Sequence, residues 1–314
     1  MVFKEKNDME NKIEPFERKL FPMTSLVTGN YDKGTYHLTA SGFFYTEQTP
    51  TEPGKNGPQW HRIDNYWFVT NRHVILPKRV GIDDEVLLDS MEFYLRKTPL
   101  GGRIEWFPIT LNRDELIQNA KLHPDEDVDI AVIDITGKIK NIITAITKKE
   151  IENNIGIPAT LSNMDLPGKK PIPIEVTSDI VVASYPKGFY DTVNKFPIVK
   201  SGIIASAWGS SFNGKPIFQI DAQLFPGSSG GLVISKPTNF GLQNGNMVYT
   251  ESKEFVLLGV YSGEPVFKDP IVIEGKPVIV DGKPAMIQKS YGLGNVWYSY
   301  LIPEIIKNGI RYSL

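Results

Sequence analysis

The segment Phe225-Pro226-Gly227-Ser228-Ser229-Gly230-Gly231 separates two apolar, β-favouring runs, "IFQIDAQL" at 217–224 and "LVIS" at 232–235. A proline and flanking glycines force a sharp turn there. With glycine on both sides, backbone N–H groups can converge where a carbonyl oxygen would gain negative charge. Two serines occupy the apex. A serine hydroxyl is a weak nucleophile at neutral pH and needs a base, and imidazole has the pKa for that task. A carboxylate must then hold the imidazole in the right tautomer. The turn therefore sends the search for both partners to the rest of the chain.

The sequence contains four histidines, His37, His61, His73 and His123. His73 follows "YWFVTNR", where the strand expected over Asp64–Ile75 ends in a polar corner. His37 lies within a strand pattern as a face residue, His61 in a polar loop, and His123 in a charged bend before Pro124. For the carboxylate, "HPDEDVDIAVIDI" offers Asp125, Asp127, Asp129 and Asp134. Asp129 opens the apolar run Ile130-Ala131-Val132-Ile133 and so can enter the interior, whereas Asp125, Glu126 and Asp127 suit a solvated bend. The alternating aspartates also begin like a calcium loop, but Ile130 and Thr136 stand where glycine and glutamate are required. No metal site is expected.

Around these residues the chain reads as short β-favouring runs. Before residue 143 they are Thr35–Tyr45, Asp64–Ile75, "EVLLDSMEFYL", "IEWFPITL" and "DVDIAVIDI"; after 174 come "SDIVVASYP", "IVKSGIIASAW", "IFQIDAQLF", "LVIS" and "EFVLLGVYSG". Such spacing predicts a sandwich or barrel. Asn213-Gly214 and Asn244-Gly245 are tight-turn signals. "IEGKP" at 273–277 is echoed by "VDGKP" at 280–284, which reads as a surface hairpin excursion. The stretch 143–174, with a short helix in "AITKKEIENN" and then many prolines, reads as a connection. Ile302, Pro303, Ile305 and Ile306, stopped by Gly309, predict a short C-terminal helix. The expected division is a polar lead-in over 1–24, a first β unit over 25–142, a linker over 143–174 and a second β unit over 175–314.

Composition excludes several classes of function. The 314 residues are 41% hydrophobic and 22% charged, as in an ordinary globular protein. A formal net charge of −2 offers no electrostatic footprint for nucleic acid. There is no cysteine, hence no disulfide, thiol nucleophile or cysteine-based metal site. The first twenty residues lack the apolar core of a signal peptide, and no apolar run is long enough to cross a membrane. A cytoplasmic protein without membrane contact is expected; the sequence is silent on oligomeric state.

"VTNRHV", "DVDIAV" and "PGSSGG" resemble the His, Asp and Ser boxes of the chymotrypsin-fold, trypsin-like serine peptidases, in that family's order. The likeness is closest to bacterial members without disulfides, including HtrA-type proteases. "SGFFY", "VASYPKG", "VKSGIIAS" and "LLGVYSG" also match, so it covers roughly residues 25–300. It implies an all-β fold of two antiparallel six-stranded β-barrels with a short C-terminal helix, acting on protein or peptide substrates without a cofactor. By the same resemblance Ser229 is the nucleophile, His73 the base and Asp129 its orienter. Gly227 and Ser229 supply the oxyanion-hole N–H groups, and Ser262, Gly263 and Glu264 pair with the substrate backbone. Gln223 lies at the base of the specificity pocket, where its neutrality removes the simple case for cleavage after Lys or Arg. Glu264 either supplies a negative charge there or narrows the entrance. Ser228 replaces the acidic residue through which zymogens of this family are activated, so that route is not expected. Two other readings use the same residues: a peptide-binding module with little turnover, and an esterase.

Overall fold

Strands buried on both faces read as unbroken apolar runs, and "WFV" at 67–69, "IAVI" at 130–133, "IVVA" at 180–183 and "LVI" at 232–234 are of this kind. In a computed structural model, which describes residues 15–50, 61–79, 81, 84–97, 105–145 and 160–312, each run divides its side chains between two cores. Phe68, Ala131 and Ile133 face a core inside the first half of the molecule. Val182 and Val233 face a core inside the second. Their neighbours Trp67, Val69, Val132, Val181, Ala183, Leu232 and Ile234 meet in a third core, which joins the halves.

The first half is a sheet of eight strands: β1 (Thr24–Tyr31), β2 (Tyr36–Pro50), β3 (His61–Thr70), β4 (Ser90–Lys97), β5 (Glu105–Asn112), β6 (Ala120–Leu122), β7 (Ala131–Asp134) and β8 (Leu161–Ser162). They run in the order β5-β4-β1-β2-β3-β7-β6, with β8 parallel to β2. The second half is a closed six-stranded barrel, β10-β11-β22-β15-β12-β9. Its strands are β9 (Asp179–Ser184), β10 (Ile198–Ile204), β11 (Ile217–Asp221), β12 (Leu232–Ser235), β15 (Leu257–Gly263) and β22 (Leu293–Tyr298). The fold is thus all-β with two sheet units. Its closed barrel has the expected six strands, whereas the first unit carries eight and its described path stays open. The extra strands are the short β6 and β8, the latter supplied by the connecting stretch.

Several local expectations shift. The run over 64–75 leaves the sheet at Thr70 and turns into the one-turn helix α2 (Arg72–Ile75), which buries Val74 and Ile75. Residues 15–23, read as part of a polar lead-in, form helix α1 (Pro15–Met23), which places Leu20 and Met23 in the joining core. Helix α3 (Arg113–Asn119) begins in a capping box between Asn112 and Glu115. Helix α4 (Thr136–Ala145) precedes the helix expected at 145–154, which lies outside the described residues after its first position. The C-terminal helix is present as α5 (Leu301–Asn308). Leu301, Ile302, Ile305 and Ile306 are buried on its apolar face and close the joining core. Truncating one of these isoleucines to alanine costs ~2–5 kcal/mol. Among the described residues no helix is long and apolar enough to cross a membrane.

The echoed "EGKP/DGKP" segment folds on itself. Strands β16 (Phe267–Pro270) and β21 (Met286–Lys289) form a stem. It carries two small hairpins, β17 (Val272–Ile273) with β18 (Lys276–Pro277), and β19 (Ile279–Val280) with β20 (Lys283–Pro284). A ring of backbone bonds closes the base: Ile271 N donates to Ala285 O, Val278 N to Ile271 O, and Ala285 N to Val278 O, at 2.7–2.8 Å. These three positions are seven residues apart, the period of the repeat. The hairpin between β13 (Thr238–Gln243) and β14 (Asn246–Glu254) turns at Asn244-Gly245, both at positive φ as a tight hairpin turn requires.

Candidate active site

β3 ends against the joining core, with Thr70 and Asn71 fully buried, and α2 then brings His73 to the surface. Asn71 occupies the N-cap position with extended backbone, φ −84° and ψ 155°, but its side chain makes no cap bond. Asp129 does that work from another segment: its Oδ1 accepts from the N–H of His73 at 2.9 Å. The other oxygen, Oδ2, lies 2.7 Å from Nδ1 of His73 and also accepts from Ser262 Oγ at 2.6 Å. An imidazole that gives its Nδ1–H to a carboxylate leaves Nε2 as an acceptor. The His73 side chain is 47% exposed. Burial of the remainder works against its charge, but the hydrogen bond and negative charge of Asp129 outweigh this. The His73 pKa ends above the ordinary histidine value.

The Phe225–Gly231 turn belongs to the second half. Gly227 and Gly230 have φ of +90° and +79°, conformations that L side chains adopt at a cost. The turn presents its two serines to opposite sides. Ser228 is fully buried, and its Oγ accepts from Ser184 Oγ at 3.1 Å. Ser229 is partly exposed, and its Oγ donates to the carbonyl of Ser262 at 3.0 Å; no hydrogen bond joins it to His73. Among the described residues the N–H groups of Gly227 and Ser229 have no acceptor.

The first half holds this turn through one residue of β2. Ser41 N donates to Ser229 O at 2.8 Å, and Ser41 Oγ donates to Gly227 O at 2.9 Å. The same hydroxyl accepts from Tyr185 N at 2.9 Å. Asn71 makes a second link. Its Nδ2 donates to Asp129 O at 2.6 Å, and its Oδ1 accepts from Gly230 N at 2.5 Å. Neither Ser41 nor Asn71 was singled out by sequence reasoning, although "SGFFY" and "VTNRHV" contain them. An asparagine before a helix suggests a local cap, and nothing in its neighbours points to partners 58 and 159 residues away.

The remaining expected residues divide. Ser262 is joined to both Asp129 and Ser229. β12 runs beside β15 only as far as Val260, while β22 continues to Gly263, so one edge of Ser262–Gly263 has no strand beside it among the described residues. Glu264 is partly buried, and its charge adds to burial in raising the pKa of Tyr261. Gln223 is exposed, and its carbonyl accepts from Lys200 Nζ at 2.5 Å. A cavity of about 560 Å³ lies elsewhere, between Trp67, Lys121 and α5, and contains none of these residues.

A family model, the trypsin-like peptidase domain, matches residues 40–239, well over half of the chain. The match spans Ser41, Asn71, His73, Asp129 and Ser229. No curated protein sequence gives a significant match. Similar solved structures include the Rv3671c protease of M. tuberculosis in its active form. It has 12% identity and a TM-score of 0.41, with 99% of this chain and 88% of that one covered. A serine endoprotease from Yersinia pestis has 15% identity and a TM-score of 0.39, covering 92% of this chain and 63% of that one. The protease Anisep from Arthrobacter nicotinovorans has 10% identity and a TM-score of 0.42, covering 89% and 91%. These structural likenesses are distant, and the assignment rests on the family model: the chain belongs to the trypsin-like peptidases, a family that hydrolyses peptide bonds in proteins or peptides.

Proposed function

We propose that this protein is a serine endopeptidase that works through an acyl-enzyme, with Ser229 as nucleophile, His73 as general base and then acid, and Asp129 as orienter. The observation that carries the reading is the 2.7 Å contact between His73 Nδ1 and Asp129 Oδ2, beside a turn whose Gly227 and Ser229 N–H groups lack acceptors. A peptide adding as a strand to the free edge at Ser262–Glu264 would place an N–H on the Ser262 carbonyl. That displaces the Ser229 hydroxyl, which rotates toward Nε2 of His73. Ser229 Oγ then bonds to the scissile carbonyl carbon as its proton passes to Nε2, and the Gly227 and Ser229 N–H groups hold the resulting oxyanion. His73 returns the proton to the leaving amine, and water hydrolyses the acyl-enzyme by the same steps. An open strand edge, not an enclosed cavity, suits a polymeric substrate. The first β unit over 25–142 supplies the base and its orienter, and the second over 175–314 the nucleophile.

One observation favours a second reading, peptide binding with little turnover: the Ser229 hydroxyl is held by Ser262 and not by His73. Turnover of a peptide library against small esters, with Ser229→Ala as control, separates the alternatives. Peptide cleavage lost in the variant supports the endopeptidase. Binding without cleavage supports the module, and ester hydrolysis alone supports an esterase.

A further inference from the structure

An N-cap asparagine ordinarily turns its carbonyl back to the second or third N–H of its own helix. In α2 that N–H is taken by Asp129, and the Asn71 side chain is released to span the seam between the halves. The orientation of its amide is fixed by its partners. A carbonyl at Asp129 requires the donor end, and an N–H at Gly230 requires the acceptor end. Asn71 is fully buried, so an unpaired end would cost the desolvation of a polar group. Gly230 is equally constrained. A Cβ there would lie 2.1 Å from Ser41 O and 2.4 Å from Thr70 Oγ1, and its N–H is shared between Asn71 Oδ1 and Tyr261 O. One side chain thus ties the backbone of the orienting carboxylate to the residue after the proposed nucleophile.

We infer that Asn71 is a positioning residue: by joining Asp129 O to Gly230 N–H, it sets the distance between the acid–base pair of the first half and the nucleophile turn of the second. The inference rests on the serine-peptidase reading above. Its effect falls on the chemical step, because Asn71 is fully buried and offers nothing to a bound peptide. The exchange of roles explains both ends of the arrangement: Asp129 caps the helix that carries His73, and the asparagine freed from capping fixes Asp129.

The test is the saturation kinetics of a fluorophosphonate probe on wild type and Asn71→Ala, with folding checked by thermal denaturation. A misplacement of about 1 Å costs on the order of 100-fold in rate, so the limiting inactivation rate should fall by ~30–100-fold. The half-saturating probe concentration should change by less than about threefold, since ground-state binding is untouched. A folded Asn71→Ala protein that reacts at the wild-type rate, or loses only probe binding, overturns the inference. Should that variant fail to fold, the near-isosteric Asn71→Asp serves. It keeps an acceptor for Gly230 but loses the donor to Asp129 O, and the limiting rate should still fall. In the wild type itself, the bridge predicts a slowly exchanging Asn71 side-chain amide by NMR, and a freely exchanging one refutes it. A wild type that forms no adduct breaks the peptidase reading, while the amide measurement still reports on the bridge.

Discussion

The proposed nucleophile turn and the two-hairpin excursion at 267–289 are both built on glycines at positive φ, but they are held in opposite ways. Gly275 and Gly282, at φ of 77° and 76°, have open space where a Cβ would stand, and the ring of bonds beneath them joins residues within 271–285. Gly227 and Gly230 are crowded. A Cβ on Gly227 would approach Lys187 N to 2.6 Å, and one on Gly230 would approach Ser41 O to 2.1 Å. Their turn is tied to Ser41, 186 residues away, and to Asn71, 159 residues away. The excursion stands by local rules alone. The nucleophile turn takes its shape from the other half of the molecule, so its geometry is a property of the seam.

Changes at the seam should therefore reach activity, and changes in the excursion should not. The largest effect is expected from Asp129→Asn, which removes the charge that holds the His73 tautomer: kcat should fall by roughly 10⁴-fold. In the proposed mechanism the base is neutral His73, so kcat/KM should rise with pH through a midpoint above that of a free imidazole. The variant's midpoint should move down. Stability has the opposite sign. A raised His73 pKa contributes stability below the unfolded value and loses it as pH climbs through the folded value, an effect reduced by the half-exposed ring. Thermal melting across that window, with Asp129→Asn as reference, checks the sign.

Next comes Gly230→Ala, whose new methyl must displace Ser41 or Thr70. A loss of on the order of 100-fold in turnover is expected from the shift it forces, whereas near-normal activity would dissolve the contrast between the two turns. Ser41→Ala leaves the Gly227 carbonyl and the Tyr185 N–H without a partner. It should lower stability by ~1–3 kcal/mol, seen in the denaturant midpoint, and activity by roughly tenfold. The smallest effect belongs to Gly282→Ala. The left-handed conformation should cost roughly 1–2 kcal/mol, confined to its hairpin, and leave turnover unchanged.

The same contrast marks what was legible in the sequence. The excursion is legible as a seven-residue echo that reads as a surface hairpin, and Asn244-Gly245 as a tight turn, because a two-residue turn carries its own instructions. His73, Asp129 and Ser229 stand in readable motifs, and the geometry brings Asp129 to His73 and Ser262. The break at Asn71 was hidden because Val74 and Ile75 prolong the apolar pattern of β3 into α2. Helix α1 was hidden by its charges and by Pro22, since its stability comes from burying Leu20 and Met23 in the joining core. Helix α3 did carry a readable signal, Asn112 three residues before Glu115. Ser41 and Asn71 carried none, since their partners are set by the meeting of two sheets.

The most direct measurement is intact-mass detection of a fluorophosphonate adduct on wild type, Ser228→Ala and Ser229→Ala. One adduct on wild type and on Ser228→Ala, absent only from Ser229→Ala, is the predicted result, because Ser228 is buried against Ser184 while Ser229 is partly exposed. No adduct on well-folded wild type, or an adduct lost only in Ser228→Ala, would contradict it.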